Sequence, residues 1–74
     1  MKEKVLAILE DLRPDIDFET EDALISDGLL ESFDLIQLIA LLSDEFGIEI
    51  SNHYVTIENF DSLDKITALV ESLK

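Results

Sequence analysis

Apolar residues recur at helical spacing in three stretches of the chain, with polar residues between them. The first stretch repeats at i, i+3, i+4 and i+7, through Val5, Ile8, Leu9 and Leu12. This spacing predicts a helix over residues 2–13. Pro14 should end that helix, because the residue before a proline avoids helical backbone angles. The following segment, residues 15–30, is polar and acidic with scattered apolar anchors, and its length is unusual for a small domain.

The second stretch predicts a helix over residues 32–46, ended by Gly47 in the left-handed conformation that favours glycine. Its core-facing positions are Leu35, Leu38, Ile39, Leu42 and Phe46. A second face of this helix is also apolar, through Phe33, Ile36 and Ala40. A helix with two apolar faces is either central in a bundle or presents an exposed contact patch. In so small a domain we expect the second face to reach the surface near the N-terminal end, and ordinary core packing is the alternative for Phe33 and Ile36.

The third stretch predicts the last helix, whose apolar face consists of Leu63, Ile66, Leu69, Val70 and Leu73. Either Asp61 or Ser62 would cap it. Residues 48–55 are predicted to form a loop, and residues 56–60 a single helical turn capped by Thr56. The predicted fold is therefore all-α, a small bundle of three main helices plus one short helix, in a single domain over residues 1–74.

Charge is the strongest feature of the composition. Eighteen acidic residues oppose five basic ones, which gives a formal net charge of −13. Such a surface repels nucleic acids and anionic lipids, and it attracts basic patches on other proteins. The chain is 47% apolar, which is too high for a disordered acidic tail. With no signal segment at its start, it is expected to be a cytoplasmic monomer with protein partners and no nucleic-acid or membrane partner.

Residues that would support catalysis are scarce. His53 is the single histidine and there is no cysteine, so a His-based or thiolate site is not predicted. Alternating acids from Asp15 to Glu21 resemble the start of a calcium loop, but that loop needs glycine sixth and glutamate twelfth. Those positions hold Thr20 and Ser26. We expect no catalytic residues and no specific metal site, so the chain is not predicted to be an enzyme.

Ser32 is the polar residue whose role the sequence leaves open. Serine is a preferred residue at the start of a helix, and Asp34 would suit the first turn, so Ser32 is expected to cap the helix. It also lies between a long loop and a helix, with acids at Asp27, Glu31 and Asp34 and apolar residues close by. A partner would be able to dock there by charge and apolar contact around an accessible hydroxyl.

The stretch "DGLLESFDLIQLIALLSDEFGIEI" resembles the prosthetic-group site of acyl carrier proteins. That family has a D-S-L or D-S-M motif at the start of its second helix, then an apolar helix that ends like E-E-F-x-I-x-I. Glu31 and Phe33 depart from the motif but keep its chemical character. "VTIENFDSLDKITALV" is similar to the family's third and fourth helices, so the resemblance covers nearly the whole chain.

The resemblance implies a carrier with 4′-phosphopantetheine attached to Ser32 by a phosphopantetheinyl transferase that uses coenzyme A. An acyl or aminoacyl group would then be held as a thioester, for biosynthesis of fatty acids, polyketides or related products. The implied partners are acyl-transfer or adenylating enzymes with basic docking patches. The family's partner surface maps to Glu31, Phe33, Asp34, Ile36, Gln37, Ala40 and Asp44. Gln37 and Ser43 stand where many fatty-acid carriers have acids.

The resemblance also implies shelter for the cargo, in a space that Leu42, Phe46, Tyr54, Ile57 and Phe60 would line. The same residues would also fill an ordinary core. "ENFDS" is similar to stand-alone carriers that work with adenylating ligases, including D-alanyl carriers. The alternative function is an acidic helical protein-interaction module without a prosthetic group, and a small hydrolase is disfavoured. Modification of Ser32 separates the first two hypotheses.

Overall fold

A computed structural model describes residues 1–74 as a helical bundle without strands. The helices are α1 Lys2–Leu12, α2 Ser32–Phe46, α3 Ile57–Phe60 and α4 Leu63–Leu73, with a 3-10 turn at Asn52–Tyr54. The predicted all-α fold of three main helices and one short helix is confirmed. Helix α1 packs against α2 and α4, and α3 packs against α4.

Helix α1 ends one residue before its predicted boundary. Arg13 has φ −136° and ψ 82°, an extended conformation. Pro14 follows it and disfavours helical angles at the preceding residue. Arg13 therefore closes the helix through its backbone N–H to Leu9 O and leaves its side chain free to reach across the bundle.

A single apolar core joins all the helices. Fourteen buried apolar side chains form it, and those with no exposed surface include Leu9 from α1, Leu38 and Leu42 from α2, Phe60 from α3 and Ile66 from α4. Each belongs to a stripe that the helical spacing predicts, apart from Phe60 in the short turn. The part of the core that the three main helices contribute is therefore the part that apolar periodicity predicts.

The long connection between α1 and α2 is held to the bundle at several points. Four of its apolar residues are buried, namely Ile16, Phe18, Leu24 and Leu30. Leu24 N–H also donates to the backbone carbonyl of Asp61 at 2.7 Å. Although this connection is not helical over most of its length, it forms part of the core and fixes where α2 begins.

Local residues set the remaining helix ends. Gly47 ends α2 in the left-handed conformation at φ 64°, as predicted. Ser62 is the cap of α4, since its hydroxyl accepts a hydrogen bond from Lys65 N–H at 3.2 Å. Thr56 is the cap residue of α3, but its side chain makes no capping hydrogen bond. None of the helices has the length and apolar character needed to cross a membrane.

Candidate functional site

Ser32 is exposed and is the first helical residue of α2, not its cap. The cap is Glu31, whose backbone is extended at φ −101° and ψ 173°. Glu31 N–H donates to Asp34 Oδ2 at 3.0 Å, as in one half of a capping box. The expectation that Ser32 caps the helix is therefore wrong. Its hydroxyl makes no hydrogen bond within the chain, and the residue is exposed.

Arg13 supports this helix start from the end of α1. Its Nη1 donates to Asp34 Oδ2 at 2.8 Å and to Leu29 O at 2.8 Å. Nε and Nη2 donate to the two carboxylate oxygens of Asp15 at 3.0 and 2.9 Å. The hydrogen bonds with Asp15 are the main cause that raises the pKa of Arg13. The same bonds are the main cause that lowers the pKa of Asp15. Helix propensity and apolar spacing do not predict the contact between Arg13 and Asp34, because the two residues belong to separate elements.

The predicted partner surface lies mostly on one exposed side of α2. Six of its members are exposed, and they are Glu31, Phe33, Ile36, Gln37, Ala40 and Asp44; we call this set the α2 face. Phe33 is 68% exposed and Ile36 is 66% exposed, so neither belongs to the core. Asp34 differs, because its side chain is only 15% exposed and is paired with Arg13. In this structure it contacts the start of the helix through Glu31 N–H, and its place on the partner surface stays a prediction.

A shallow groove of about 350 Å³ adjoins Ser32. It is lined by Ser32, Leu35, Ile36, Ile39, Asn52 and Val55. The groove lies between the first turns of α2 and the 3-10 turn, and four of its six residues are apolar. Asn52 and Val55 were not among the predicted site residues, because the pairing of a loop with a helix face is a tertiary contact.

The space that Leu42, Phe46, Tyr54, Ile57 and Phe60 would line stays a prediction, and Leu42 and Phe60 fit the alternative of ordinary core packing. Leu42 and Phe60 are fully buried in the core, whereas Ile57 is 52% exposed. Phe46 and Tyr54 are half-buried, so the five side chains lie at different depths. The apolar lining of the groove near Ser32 comes from Leu35 and Ile39, two residues of the core-facing stripe of α2.

The acids and the histidine do not converge into a metal-binding arrangement. No group of three or more His, Asp or Glu side chains is placed to hold a metal ion. His53 is exposed on the 3-10 turn, where its Nδ1 is 3.0 Å from Ser51 Oγ and its ring lies 4.1 Å from the Tyr54 ring. The distinctive chemical feature of the site is therefore the free hydroxyl of Ser32.

No protein-family model matches the chain. Three curated proteins named D-alanyl carrier protein align with nearly all of it. Identity to the Lactobacillus acidophilus protein is 32% over 74 residues, covering 99% of this chain and 94% of that protein. Identity to the Lactobacillus helveticus protein is 31% over 74 residues, with coverage of 99% and 94%. Identity to the Abiotrophia defectiva protein is 30% over 77 residues, with coverage of 96% and 92%.

Proposed function

The chain belongs to the acyl carrier protein family, as a carrier of the stand-alone type, and from that premise we propose that it carries an aminoacyl group on 4′-phosphopantetheine attached to Ser32. The observation that supports this most directly is the exposed, unpartnered Ser32 hydroxyl at the first position of α2. A hydroxyl engaged in capping the helix would have to give up that bond before it reacted.

The surroundings of Ser32 fit a phosphate ester. The N-terminus of a helix carries partial positive charge and free backbone N–H groups, both of which favour a phosphate. The groove beside Ser32 offers apolar surface from Leu35 and Ile39 and a polar amide from Asn52. When bound, the prosthetic group supplies the thiol that holds the cargo as a thioester, since this chain has no cysteine.

In the attachment step, Ser32 is the nucleophile. Its Oγ forms a bond to the phosphorus that bears the pantetheine in coenzyme A. The bond from that phosphorus to the bridging oxygen breaks, and adenosine 3′,5′-bisphosphate leaves. The hydroxyl proton passes to a base of the transferase, because no titratable side chain of this chain hydrogen-bonds to Ser32. This chain contributes an accessible oxygen and a rigid helix start.

The charge of the domain supports docking to enzymes with basic patches. The net charge of −13 accelerates encounter with such patches. The α2 face combines the acid Glu31 next to Ser32, and the acid Asp44 about three turns further along, with the exposed apolar side chains Phe33 and Ile36. Acids rimming an apolar centre match the usual arrangement of a protein interface. We propose that both the transferase and the loading enzyme bind there.

An aminoacyl cargo fits this chain better than a long acyl chain. The three aligned relatives are named D-alanyl carrier proteins. The groove beside Ser32 is open and shallow, and the core residues Leu38 and Leu42 of the same helix are fully buried. We propose D-alanine as the cargo and an adenylating ligase as the enzyme that loads it in the cytoplasm.

Intact mass spectrometry tests the attachment. The purified protein is incubated with coenzyme A, Mg²⁺ and a broad-specificity phosphopantetheinyl transferase. We expect one added phosphopantetheine in the wild type and in Ser43→Ala, a matched serine on the same helix, and none in Ser32→Ala. Wild-type protein that stays unmodified with several transferases would instead favour an acidic interaction module.

A second incubation tests the cargo. The modified protein is given ATP and D-alanine with a D-alanine-adenylating ligase, or a fatty acid with an acyl-adenylating ligase. We expect a mass gain of one alanyl group that hydroxylamine removes, as for a thioester. Loading with the fatty acid alone would contradict the aminoacyl proposal and leave the attachment to Ser32 intact.

A further inference from the structure

We propose that Arg13 is a positioning residue for Ser32, which keeps Glu31 as the cap of α2 and so leaves the Ser32 hydroxyl free to be modified. The effect of Arg13 on modification rests on the proposed function, since it requires Ser32 to be modified. The identity of the cap residue is a property of the unmodified protein. It is therefore testable without any modifying enzyme.

Two neighbouring residues compete to cap α2. Serine is among the preferred cap residues, and glutamate is not. With Ser32 as the cap, its hydroxyl oxygen would accept a hydrogen bond from the backbone N–H two or three positions later, at Asp34 or Leu35. The Ser32 oxygen would then accept a backbone hydrogen bond and point towards the first turn of the helix. Local sequence preference thus favours the arrangement that hides the hydroxyl.

The structure shows the other arrangement, and Asp34 is the residue that enforces it. Asp34 Oδ2 accepts both the Glu31 N–H at 3.0 Å and the Arg13 guanidinium at 2.8 Å. These two bonds converge on one oxygen, so Arg13 fixes the carboxylate where it holds the Glu31 backbone. The Asp34 side chain is 15% exposed and the Arg13 side chain is 27% exposed. Partial burial makes the pair stronger than an ordinary surface ion pair.

Arg13 also fixes the chain that leads into the site. Its Nη1 donates to Leu29 O at 2.8 Å, three residues before Ser32. The intervening Leu30 is 3% exposed in the core. Arg13 is held in turn by both carboxylate oxygens of Asp15, a bidentate arrangement that sets the plane of the guanidinium. It is the chain's one arginine, and lysine lacks the planar fork that these contacts use.

The test compares Arg13→Gln with Lys4→Gln, which removes one positive charge from a lysine whose contact to Glu45 is long, at 3.9 Å. Circular dichroism first establishes that each variant is folded. NMR of the unmodified proteins then reports the cap through the Ser32 and Glu31 Cβ chemical shifts and the exchange rates of the Asp34 and Leu35 amides. We expect Arg13→Gln to shift the cap towards Ser32 and Lys4→Gln to leave it unchanged.

Transferase kinetics by intact mass supply the second readout. We expect kcat/KM for modification of Ser32 to fall by about fivefold or more in Arg13→Gln, the size of a typical cap preference. The kcat/KM of Arg13→Lys should lie between those of the wild type and Arg13→Gln, because lysine keeps the positive charge but lacks the planar guanidinium. If Arg13→Gln does not fold, Asp34→Asn serves instead, since its amide oxygen can still accept from Glu31 N–H but the ion pair with Arg13 is lost.

The outcomes separate this inference from the proposed function. Unchanged NMR signals together with an unchanged rate in Arg13→Gln would overturn the role of Arg13, even if Ser32 is modified normally. If wild-type protein is never modified, the carrier proposal fails, and the NMR comparison alone decides whether Arg13 selects the cap. A cap shift in Arg13→Gln supports the positioning role in either case.

Discussion

The Asp61 carboxylate accepts two hydrogen bonds from Ser26, one from the backbone N–H at 2.9 Å and one from the hydroxyl at 2.8 Å. Ile25 N–H donates to the same carboxylate at 2.7 Å. Asp61 is 6% exposed, and it lies 35 residues after Ser26 in the chain. The junction of α3 and α4 is thereby tied to the long connection that precedes α2.

This tie predicts a specific loss of stability in acid. Hydrogen bonds from Ser26 are the main cause that lowers the pKa of Asp61 below its ordinary value of 3.8. A carboxyl group whose pKa is lowered by folding stabilises the fold at pH values above its unfolded-state pKa. That stabilisation is lost as the pH falls through its folded-state pKa. Urea unfolding followed from about pH 6 to about pH 3 should therefore show a shallower decline in Asp61→Asn.

Two comparisons show whether the pH dependence of unfolding is specific to Asp61. Asp44→Asn changes an exposed carboxylate on α2 and should keep the wild-type pH dependence. Asp15, whose pKa Arg13 lowers, contributes in the same pH range, so Asp61→Asn should remove part of the dependence and not all of it. An unchanged slope in Asp61→Asn would show that the tie does not respond to protonation.

Adjacent leucines on α2 should differ sharply in their effect on stability. Leu42 has no exposed surface, whereas Leu41 is 43% exposed. Leu42→Ala removes core contacts and should lower the free energy of unfolding by about 2–5 kcal/mol. Leu41→Ala should cost about 1 kcal/mol or less. Chemical unfolding of the two variants checks this, and similar losses would contradict the burial pattern.

Exposed apolar residues near Ser32 should matter for partners and not for folding. Phe33→Ala and Ile36→Ala should change the free energy of unfolding by no more than about 0.5 kcal/mol. Each should raise the KM of the phosphopantetheinyl transferase by roughly tenfold, the effect of removing an interface anchor. Leu41→Ala, further along the same helix, is the control. A large loss of stability in Phe33→Ala would mean that Phe33 belongs to the core.

Gly47 should be difficult to replace because of its backbone conformation. Its φ is 64°, and a Cβ built there would meet no atom within 4 Å. The cost of Gly47→Ala is therefore conformational, at about 1–2 kcal/mol. Gly47→Asn should cost less, since asparagine adopts left-handed angles more readily. Thermal unfolding of the two variants distinguishes this cause from steric crowding, which would make asparagine the worse substitution.

Salt should stabilise the fold. A net charge of −13 on a domain of 74 residues produces self-repulsion that ions screen. We expect the midpoint of thermal unfolding to rise between low salt and about 0.15 M, where the Debye length is about 8 Å. Sucrose at matched osmolality is the control for effects unrelated to charge. A midpoint that falls with salt would show that ion pairs such as Arg13–Asp34 outweigh the repulsion.

Apolar periodicity determined much of this fold. Helix α2 begins at Ser32 and ends at Phe46 where the sequence predicts, and Gly47 ends it as expected. Helix positions are predictable because the contacts that form a helix join residues within four positions of one another. The same pattern did not decide the exposure of Phe33 and Ile36, since a helix with two apolar faces is either central in a bundle or presents a contact patch. The structure exposes both side chains.

Tertiary contacts decided the state of the site. Local preference predicts Ser32 as the helix cap, and the cap is Glu31 because Arg13, 21 residues before Asp34, holds that carboxylate in place. The role of Asp61 and the groove between α2 and the 3-10 turn likewise depend on residues brought together from separate elements. Helix periodicity records the face that each residue shares with its near neighbours, but it contains no information on which distant side chain will satisfy a polar group.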